Sequence, residues 1–203
     1  MRSALFFSLY PVNQNAILFD FSIPLSVPNF SPFSFLPSCA TFLSIPAVHI
    51  RNDERKFTII YSHGNAEDVG LSLPYLDHLS QCCDCNVLAY EYCGYSIAEG
   101  EPSEKNCYEC IDAAYRYLAE GRQSFHGDEN RTSRQKQHRP SGMRSPVVDP
   151  SRIILFGRSL GTGPTVDLAA RLLSENDYSL AAVILQSPLV SEIVSRFECM
   201  NIT

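Results

Sequence analysis

The feature that most constrains the fold of this chain is a G-x-S-x-G pentapeptide between a predicted strand and a predicted helix. Residues 153–156 form a short apolar, β-branched run, and Gly157, Ser159 and Gly161 follow it directly. In such a turn the glycines let the backbone fold tightly, and the serine hydroxyl is exposed at the amino end of the next helix, where N–H groups favour negative charge. Ser159 is therefore the candidate nucleophile; a glycine-rich turn without a catalytic role is the alternative.

The segments on either side of this turn alternate between strand and helix patterns. Buried strands are predicted at residues 57–62, 86–92 and 181–185, and a short edge strand at residues 47–50. One helix is predicted after residue 68, and another from residue 104 to about residue 120 with Ser103 as its N-cap. This alternation predicts an α/β fold with a mostly parallel sheet flanked by helices.

The length of 203 residues is that of one domain with a substantial core, but two segments depart from the α/β pattern. Residues 1–46 are rich in Phe, Pro and Ser, and the prolines predict an irregular leader or, alternatively, a membrane-contacting or lid segment. Residues 121–150 are polar and basic with few aliphatic side chains, which predicts a disordered insertion. The α/β domain is therefore expected over residues 47–203.

Composition limits the partners and the location of the protein. The formal charge of -6 and the pI near 5.3 argue against nucleic acid as a partner. No apolar run reaches the roughly 18 to 20 residues of a transmembrane helix. Residues 1–10 resemble the start of a secretory signal, but the residues that follow are a poor cleavage region. We therefore expect a cytoplasmic protein.

Two cysteine pairs have the spacing of metal ligands. Cys82 and Cys85 form one C-x-x-C pair, and Cys107 and Cys110 form the other. The first pair falls where a predicted helix gives way to a strand, and the second lies on the apolar face of a predicted helix. Reduced, buried packing thiols explain this pattern, and a zinc site is the alternative. We expect no metal and no cofactor.

Several motifs, in their order along the chain, resemble a known family. They are His63-Gly64-Asn65 after one strand, Y-C-G-Y-S at residues 92–96 after the next, P-S-E at residues 102–104, G-R-S-L-G-T-G-P-T-V-D-L-A at residues 157–169, and V-I-L-Q-S-P-L at residues 183–189. In this combination the chain resembles an α/β hydrolase, and within that superfamily the α/β-hydrolase-domain-containing protein 17 family. The resemblance covers roughly residues 48–190, apart from the insertion.

The resemblance implies an activity and a site. Members of this family remove palmitoyl groups from cysteines of membrane-associated proteins, so the implied partners are S-acylated (palmitoylated) proteins, with peripheral contact at the plasma or endosomal membrane. Ser159 would be the acyl-accepting nucleophile, and the N–H groups of Asn65 and Leu160 would form the oxyanion hole. The motif glycines are Gly64, Gly157 and Gly161.

The sequence departs from the family pattern in its catalytic triad. In this fold the order along the chain is Ser, then acid, then His, so His63, which precedes Ser159, is expected to shape its loop rather than act as base. No histidine follows Ser159, and Asp167 is expected to be a packing or exposed residue of the following helix. The triad acid and His are thus not present in this chain, which we interpret as an α/β-hydrolase domain truncated at its C-terminal side.

Loss of the base costs roughly a millionfold in rate, so the chain is expected to be inactive as this fragment. The alternatives are an esterase or serine peptidase of the same fold, or a non-catalytic fragment that acts as a binding module. The family also carries a lipidated cluster of cysteines near its N-terminus, whereas the leader here has only Cys39. Because one acyl chain gives marginal binding, membrane association is expected to be weak.

Overall fold

The computed structural model describes residues 17–27, 41–121, 148–174 and 180–189. In these ranges the elements are β1 (Ile17–Val27), β2 (Thr41–Arg51), β3 (Phe57–Ser62), α1 (Val69–Cys82), β4 (Cys85–Tyr90), α2 (Glu104–Ala119), β5 (Ile153–Arg158), α3 (Thr162–Ser174) and β6 (Ala182–Gln186). Short 3-10 turns at Pro150–Arg152 and Ser159–Gly161 flank β5. Most of the predicted insertion, residues 122–147, lies outside the described residues.

The six strands form one sheet in the order β1-β2-β4-β3-β5-β6. The last four strands in that order are parallel, and β2 runs antiparallel to both of its neighbours, β1 and β4. Parallel neighbours need crossover connections, and α1, α2 and α3 each lie between two successive parallel strands. The predicted mostly parallel sheet flanked by helices is therefore confirmed.

The topology fixes where a site can form. The order in which the chain adds strands to the sheet reverses at β3, because β4 lies on one side of β3 and β5 lies on the other. The carboxyl ends of β3 and β5 are side by side, with Ser62 in register with Gly157. In open α/β sheets the crevice outside the carboxyl ends of the strands at such a switch point is where ligands bind.

Helices cover both faces of the central strands. Successive side chains along a strand point to opposite faces, so neighbouring residues of β3 pack against different helices. Ile60 packs in a buried cluster that includes Ile111 of α2 and Leu168 of α3. Its neighbour Ile59 packs in a second buried cluster that includes Leu76 of α1. This burial on two faces explains why β3 and β4 are apolar in nearly every position. In the ranges described, no helix is long and apolar enough to cross a bilayer.

The helix predicted from residue 104 begins as expected. The hydroxyl oxygen of Ser103 accepts a hydrogen bond from the backbone N–H of Asn106 at 3.1 Å, so it satisfies one of the free donors of the first turn of α2. Asp68 caps α1 in the same way and accepts from the N–H of Leu71 at 2.7 Å. Both helices therefore start at a short polar side chain that directly follows a loop at the carboxyl end of a strand.

The predictions for the amino-terminal part are wrong in two respects. The edge strand predicted at residues 47–50 is the end of the eleven-residue β2, which lies between β1 and β4. In addition, β1 and the start of β2 lie within residues 1–46, where an irregular leader is predicted. The sequence of β1 alternates apolar and polar residues, and Pro24 is tolerated because β1 is an edge of the described sheet. The boundary at residue 46 stays a prediction.

The last strand is placed correctly but is not buried as predicted. β6 spans Ala182–Gln186, and Val183 and Ile184 are 44% and 42% exposed. The strand pairs with β5 on one side, and in the described ranges no strand pairs with its other side. An apolar strand of this composition normally lies inside a sheet, so its exposure follows from its position at the edge.

Candidate active site

Ser159 lies in the turn that joins β5 to α3, and its backbone is strained. Its φ of 49° lies in the left-handed region, which costs roughly 1 to 2 kcal/mol for a residue with a Cβ atom. The turn is also too crowded for side chains at its two glycines. A Cβ atom on Gly157 would lie 2.5 Å from the Gly161 carbonyl oxygen, and a Cβ atom on Gly161 would lie 2.1 Å from the Ser62 carbonyl oxygen. The glycines thus permit the close approach that the sequence predicts.

The loop after β3 lies against this turn. A Cβ atom on Gly64 would be 3.5 Å from the Cβ of Ser159, so the two loops are in van der Waals range at this point. Asn65 follows Gly64 and is exposed, and Leu160 follows Ser159 in the 3-10 turn and is partly buried. The structure thus brings together the loops that carry the three residues predicted for acyl transfer. The oxyanion-hole assignment of Asn65 and Leu160 itself stays a prediction.

His63 is buried, and both of its ring nitrogens lie close to other groups. Its side chain is 1% exposed, Nδ1 lies 2.9 Å from the Gly64 carbonyl oxygen, and Nε2 lies 2.8 Å from Oε1 of Glu91. The second carboxylate oxygen of Glu91 accepts a hydrogen bond from the N–H of Val69, the first residue of α1. His63 and Glu91 together therefore fix both ends of the loop between β3 and α1, as expected for a loop-shaping histidine.

Two tyrosines after β4 hold the same loop from another direction. The hydroxyl of Tyr92 donates to the His63 carbonyl oxygen at 2.9 Å, and the ring centroids of these residues are 4.4 Å apart. The hydroxyl of Tyr95 donates to Oδ1 of Asn65 at 3.0 Å. The backbone between them turns at Gly94, whose φ is 77°. The Y-C-G-Y-S motif is thus a support for the loop at residues 63–65.

An ion pair beside Ser159 is missing from the sequence-based prediction. Nη1 of Arg158 lies 2.9 Å from Oε1 of Glu67, and the other carboxylate oxygen of Glu67 accepts from the N–H of Gly64 at 3.4 Å. The Arg158 guanidinium also lies near the hydroxyl of Tyr61. Burial raises the pKa of Tyr61 to about 12, and Arg158 partly offsets this effect. Arg158 is the variable position before the nucleophile, so the motif alone gave no signal for this contact.

The described residues supply no triad partner for Ser159 from the segment that follows it. Asp167 lies on α3 and is 5% exposed, and its Oδ2 accepts a hydrogen bond from Nε of Arg171 at 2.8 Å. Arg171 also donates to Oδ1 of Asp112 at 2.7 Å, so this network links α3 to α2. Asp167 therefore packs between two helices, in agreement with its predicted structural role.

The cysteines are arranged differently from the prediction in one respect. Cys85, Cys107 and Cys110 are buried, as expected of packing thiols, but Cys82 is exposed at the end of α1, where the helix meets solvent. Its sulfur lies 3.4 Å from Nε2 of His78. No group of three or more metal-ligating side chains occurs in the parts of the chain that the structure describes. The zinc alternative therefore gains no support from these residues.

The sheet order, the strained serine turn and the adjoining loop are those of the α/β-hydrolase fold. The chain is 18% identical to a thermostable carboxylesterase cloned from a metagenomic library, with a TM-score of 0.57 over 86% of this chain and 47% of that one. A second esterase, from Pyrobaculum calidifontis, gives a TM-score of 0.56 at 16% identity, over 92% of this chain and 52% of that one. At these identities the likeness concerns the fold.

Curated relatives confirm the resemblance that the motifs predict, because the chain is similar to proteins named as α/β-hydrolase-domain-containing protein 17. It is 40% identical over 142 residues to Alpha/beta hydrolase domain-containing protein 17C of Mus musculus, which is 70% of this chain and 35% of that protein. It is also 40% identical over 136 residues to protein 17B of Xenopus laevis, which is 67% of this chain and 37% of that protein. The chain thus spans about a third of the length of these relatives. No protein-family model matches it.

Proposed function

We propose that this chain carries the nucleophile and oxyanion-hole half of a serine hydrolase site that removes palmitoyl groups from protein cysteines. The observation that supports this most is the left-handed backbone of Ser159, with a φ of 49° and the Gly64 loop directly beside it. Strain of this kind persists where the surrounding structure requires it, and it is typical of the nucleophile turn of α/β hydrolases. The 40% identity to the protein 17 relatives supports a hydrolase, and the thioester is the substrate that the family resemblance implies.

In this mechanism the Ser159 hydroxyl attacks the carbonyl carbon of the thioester. Negative charge then develops on the carbonyl oxygen, and the N–H groups of Asn65 and Leu160 donate to it; each fixed donor of this kind is worth roughly 100- to 1000-fold in rate. The C–S bond breaks, the cysteine thiolate of the substrate protein leaves, and water later releases the fatty acid from Ser159. Both steps need a base, and the 203 residues contain no histidine after Ser159.

We therefore infer that these residues alone turn over thioesters at most slowly. The loss expected without the base is roughly a millionfold. The substrates would be S-acylated proteins at the cytoplasmic face of the plasma or endosomal membrane, which the protein would contact peripherally. No cofactor is needed for this chemistry.

The test begins with the native protein, captured by an antibody against residues 148–174. Its mass is compared with the 22.7 kDa of these 203 residues, and its activity is measured on a palmitoylated peptide. If the native protein is larger than this mass, we expect it to release palmitate, and we expect the Ser159→Ala variant to release none. A native protein that releases no palmitate, although it is larger and folded, would exclude the proposal.

A second candidate within the same fold is an esterase. The solved neighbours are described as esterases or a carboxylesterase, and this favours an oxygen ester. A comparison of palmitoyl thioester with short-chain esters on the native protein separates the two candidates, because the depalmitoylase prefers the long thioester. If the native protein has the mass of these residues and is inactive, a non-catalytic binding module is the remaining alternative.

A further inference from the structure

Two thiols meet in the core next to the loop that carries Asn65. The sulfur of Cys93 lies 3.7 Å from the sulfur of Cys110, and the two residues are 1% and 0% exposed. Cys93 follows β4 at the carboxyl end of the sheet, and Cys110 lies in the middle of α2. The contact therefore links the carboxyl ends of the strands, where the candidate site lies, to α2, which packs on one face of the sheet.

The segment that contains Cys93 supports the predicted oxyanion loop. Tyr92, immediately before it, donates to the His63 carbonyl oxygen, and Tyr95, two residues after it, donates to the side chain of Asn65. A restraint placed on Cys93 would therefore act on residues 63–65 through two hydrogen bonds.

We propose that Cys93 and Cys110 form a reversible disulfide when the protein meets a hydroperoxide, and that this bond restrains residues 92–95 and the loop at residues 63–65. The two sulfurs are in contact at 3.7 Å, and a disulfide requires about 2.05 Å, so the sulfurs must move closer together for the bond to form. Disulfide formation does not depend on the hydrolase activity proposed above.

The chemistry starts at Cys93. The thiols of Cys93 and Cys110 contact each other at 3.7 Å, and either sulfur can be the donor; this contact lowers the pKa of Cys93 and raises the pKa of Cys110. The Cys93 thiolate attacks one oxygen of hydrogen peroxide, the O–O bond breaks, and the hydroxide that leaves takes up a proton, so a sulfenic acid and water form. The Cys110 sulfur then attacks the Cys93 sulfur, the S–O bond breaks, and a second water leaves. Two thiols are oxidised and one peroxide is reduced to two waters.

The test uses the full chain, purified with reductant, freed of it, and treated with hydrogen peroxide. Blocking of the remaining thiols, digestion and mass spectrometry should give a peptide that joins Cys93 to Cys110 and is about 2 Da lighter than the sum of its reduced parts. Dithiothreitol should separate the two halves again. Hydrogen exchange of residues 63–65 and 92–95 should be slower in the oxidised protein than in the reduced protein.

Matched variants on the same helix provide the controls. Cys110→Ser should abolish both the joined peptide and the change in hydrogen exchange, whereas Cys107→Ser, one turn earlier on α2, should leave both intact. The exposed Cys82 reports that peroxide has reacted. Oxidation of Cys82 without a Cys93–Cys110 peptide would overturn the proposal, and a joined peptide with unchanged exchange at residues 63–65 would overturn the restraint on the loop.

Discussion

Nη1 of Arg158 lies 2.9 Å from Oε1 of Glu67, and this ion pair joins the turn that holds Ser159 to the loop after β3. Glu67 also accepts a hydrogen bond from the N–H of Gly64, the glycine that lies against Ser159. The two loops come from distant parts of the sequence and meet because β3 and β5 are neighbours in the sheet. Their relative position therefore depends on a charge pair as well as on close packing.

The strength of this pair can be measured by a double-mutant cycle with Glu67→Gln and Arg158→Gln. The side chains are 25% and 43% exposed, so we expect a coupling free energy of about 0.5 to 1 kcal/mol in urea unfolding. The i,i+4 pair of Lys105 and Glu109 within α2, at 3.6 Å, is the control, because it joins no two loops, and it should give about 0.3 kcal/mol. Equal coupling in the two cycles would contradict a role for the Arg158 pair in joining the loops.

Gly161→Ala should destabilise the fold by more than about 3 kcal/mol or prevent folding. The added Cβ atom would lie 2.1 Å from the Ser62 carbonyl oxygen, which belongs to a strand and cannot move without disturbing the sheet. Gly70→Ala in the first turn of α1 is the control, because its Cβ atom would meet only a side-chain oxygen of Asp68, at 3.1 Å. Its effect should stay within about 1 kcal/mol. Thermal unfolding of both variants is the measurement.

Ser159→Gly should stabilise the fold by about 1 kcal/mol, since glycine adopts a φ of 49° without steric cost. Ser159→Ala keeps the Cβ atom and should change the free energy of unfolding by much less. Both variants lose the hydroxyl, so the comparison separates backbone strain from the loss of the nucleophile. If glycine and alanine have the same effect, the turn stores no strain.

The stability of the protein should fall in acid because of His49. Burial, with a smaller contribution from Arg51, lowers the pKa of His49 from 6.5 to about 3, and neither ring nitrogen has a hydrogen-bond partner among the residues that the structure describes. The unfolded chain thus binds a proton at a higher pH than the folded chain. The contribution to stability is complete above pH 6.5 and is lost as pH falls toward 3, by on the order of 4 kcal/mol.

Urea unfolding between pH 7 and pH 4 measures this effect, and His49→Phe should flatten the profile relative to the unaltered chain. His78→Gln is the control, because His78 lies exposed on α1. Carboxylates contribute to acid unfolding in every variant. The effect of His49 is therefore the difference between the pH profile of the His49→Phe variant and that of the unaltered chain. A His49→Phe profile parallel to that of the unaltered chain would mean that His49 titrates normally.

Local patterns predict the central part of the fold well. The buried strands at β3 and β5, the helix capped by Ser103 and the strained serine turn all follow from apolar runs, a capping residue and two glycines. These signals are local in the sequence and remain valid in the folded chain. They also identify the loops that meet at the site, because carboxyl ends of parallel strands lie at one edge of a sheet.

The parts that are missed depend on long-range partners. Pro24 in β1 and the prolines that follow it suggest irregular structure, and β1 is a strand only because it pairs with β2. The exposure of Val183 follows from the absence of a further strand beside β6 in the described sheet, which composition does not reveal. The pairs Arg158–Glu67 and His63–Glu91 join residues from different loops, so no spacing in the sequence indicates them.

The backbone N–H of Val148 donates to the carbonyl oxygen of Leu118 at 2.8 Å, so the chain rejoins the domain beside the place where α2 ends. The described residues before and after the segment at residues 122–147 therefore lie close together beside the end of α2. Since closing a longer loop costs free energy only logarithmically in its length, this point tolerates large changes in the number of residues. It is consequently a suitable place to insert a fluorescent domain or an affinity tag, which would report on the protein without altering the sheet or the turn that carries Ser159.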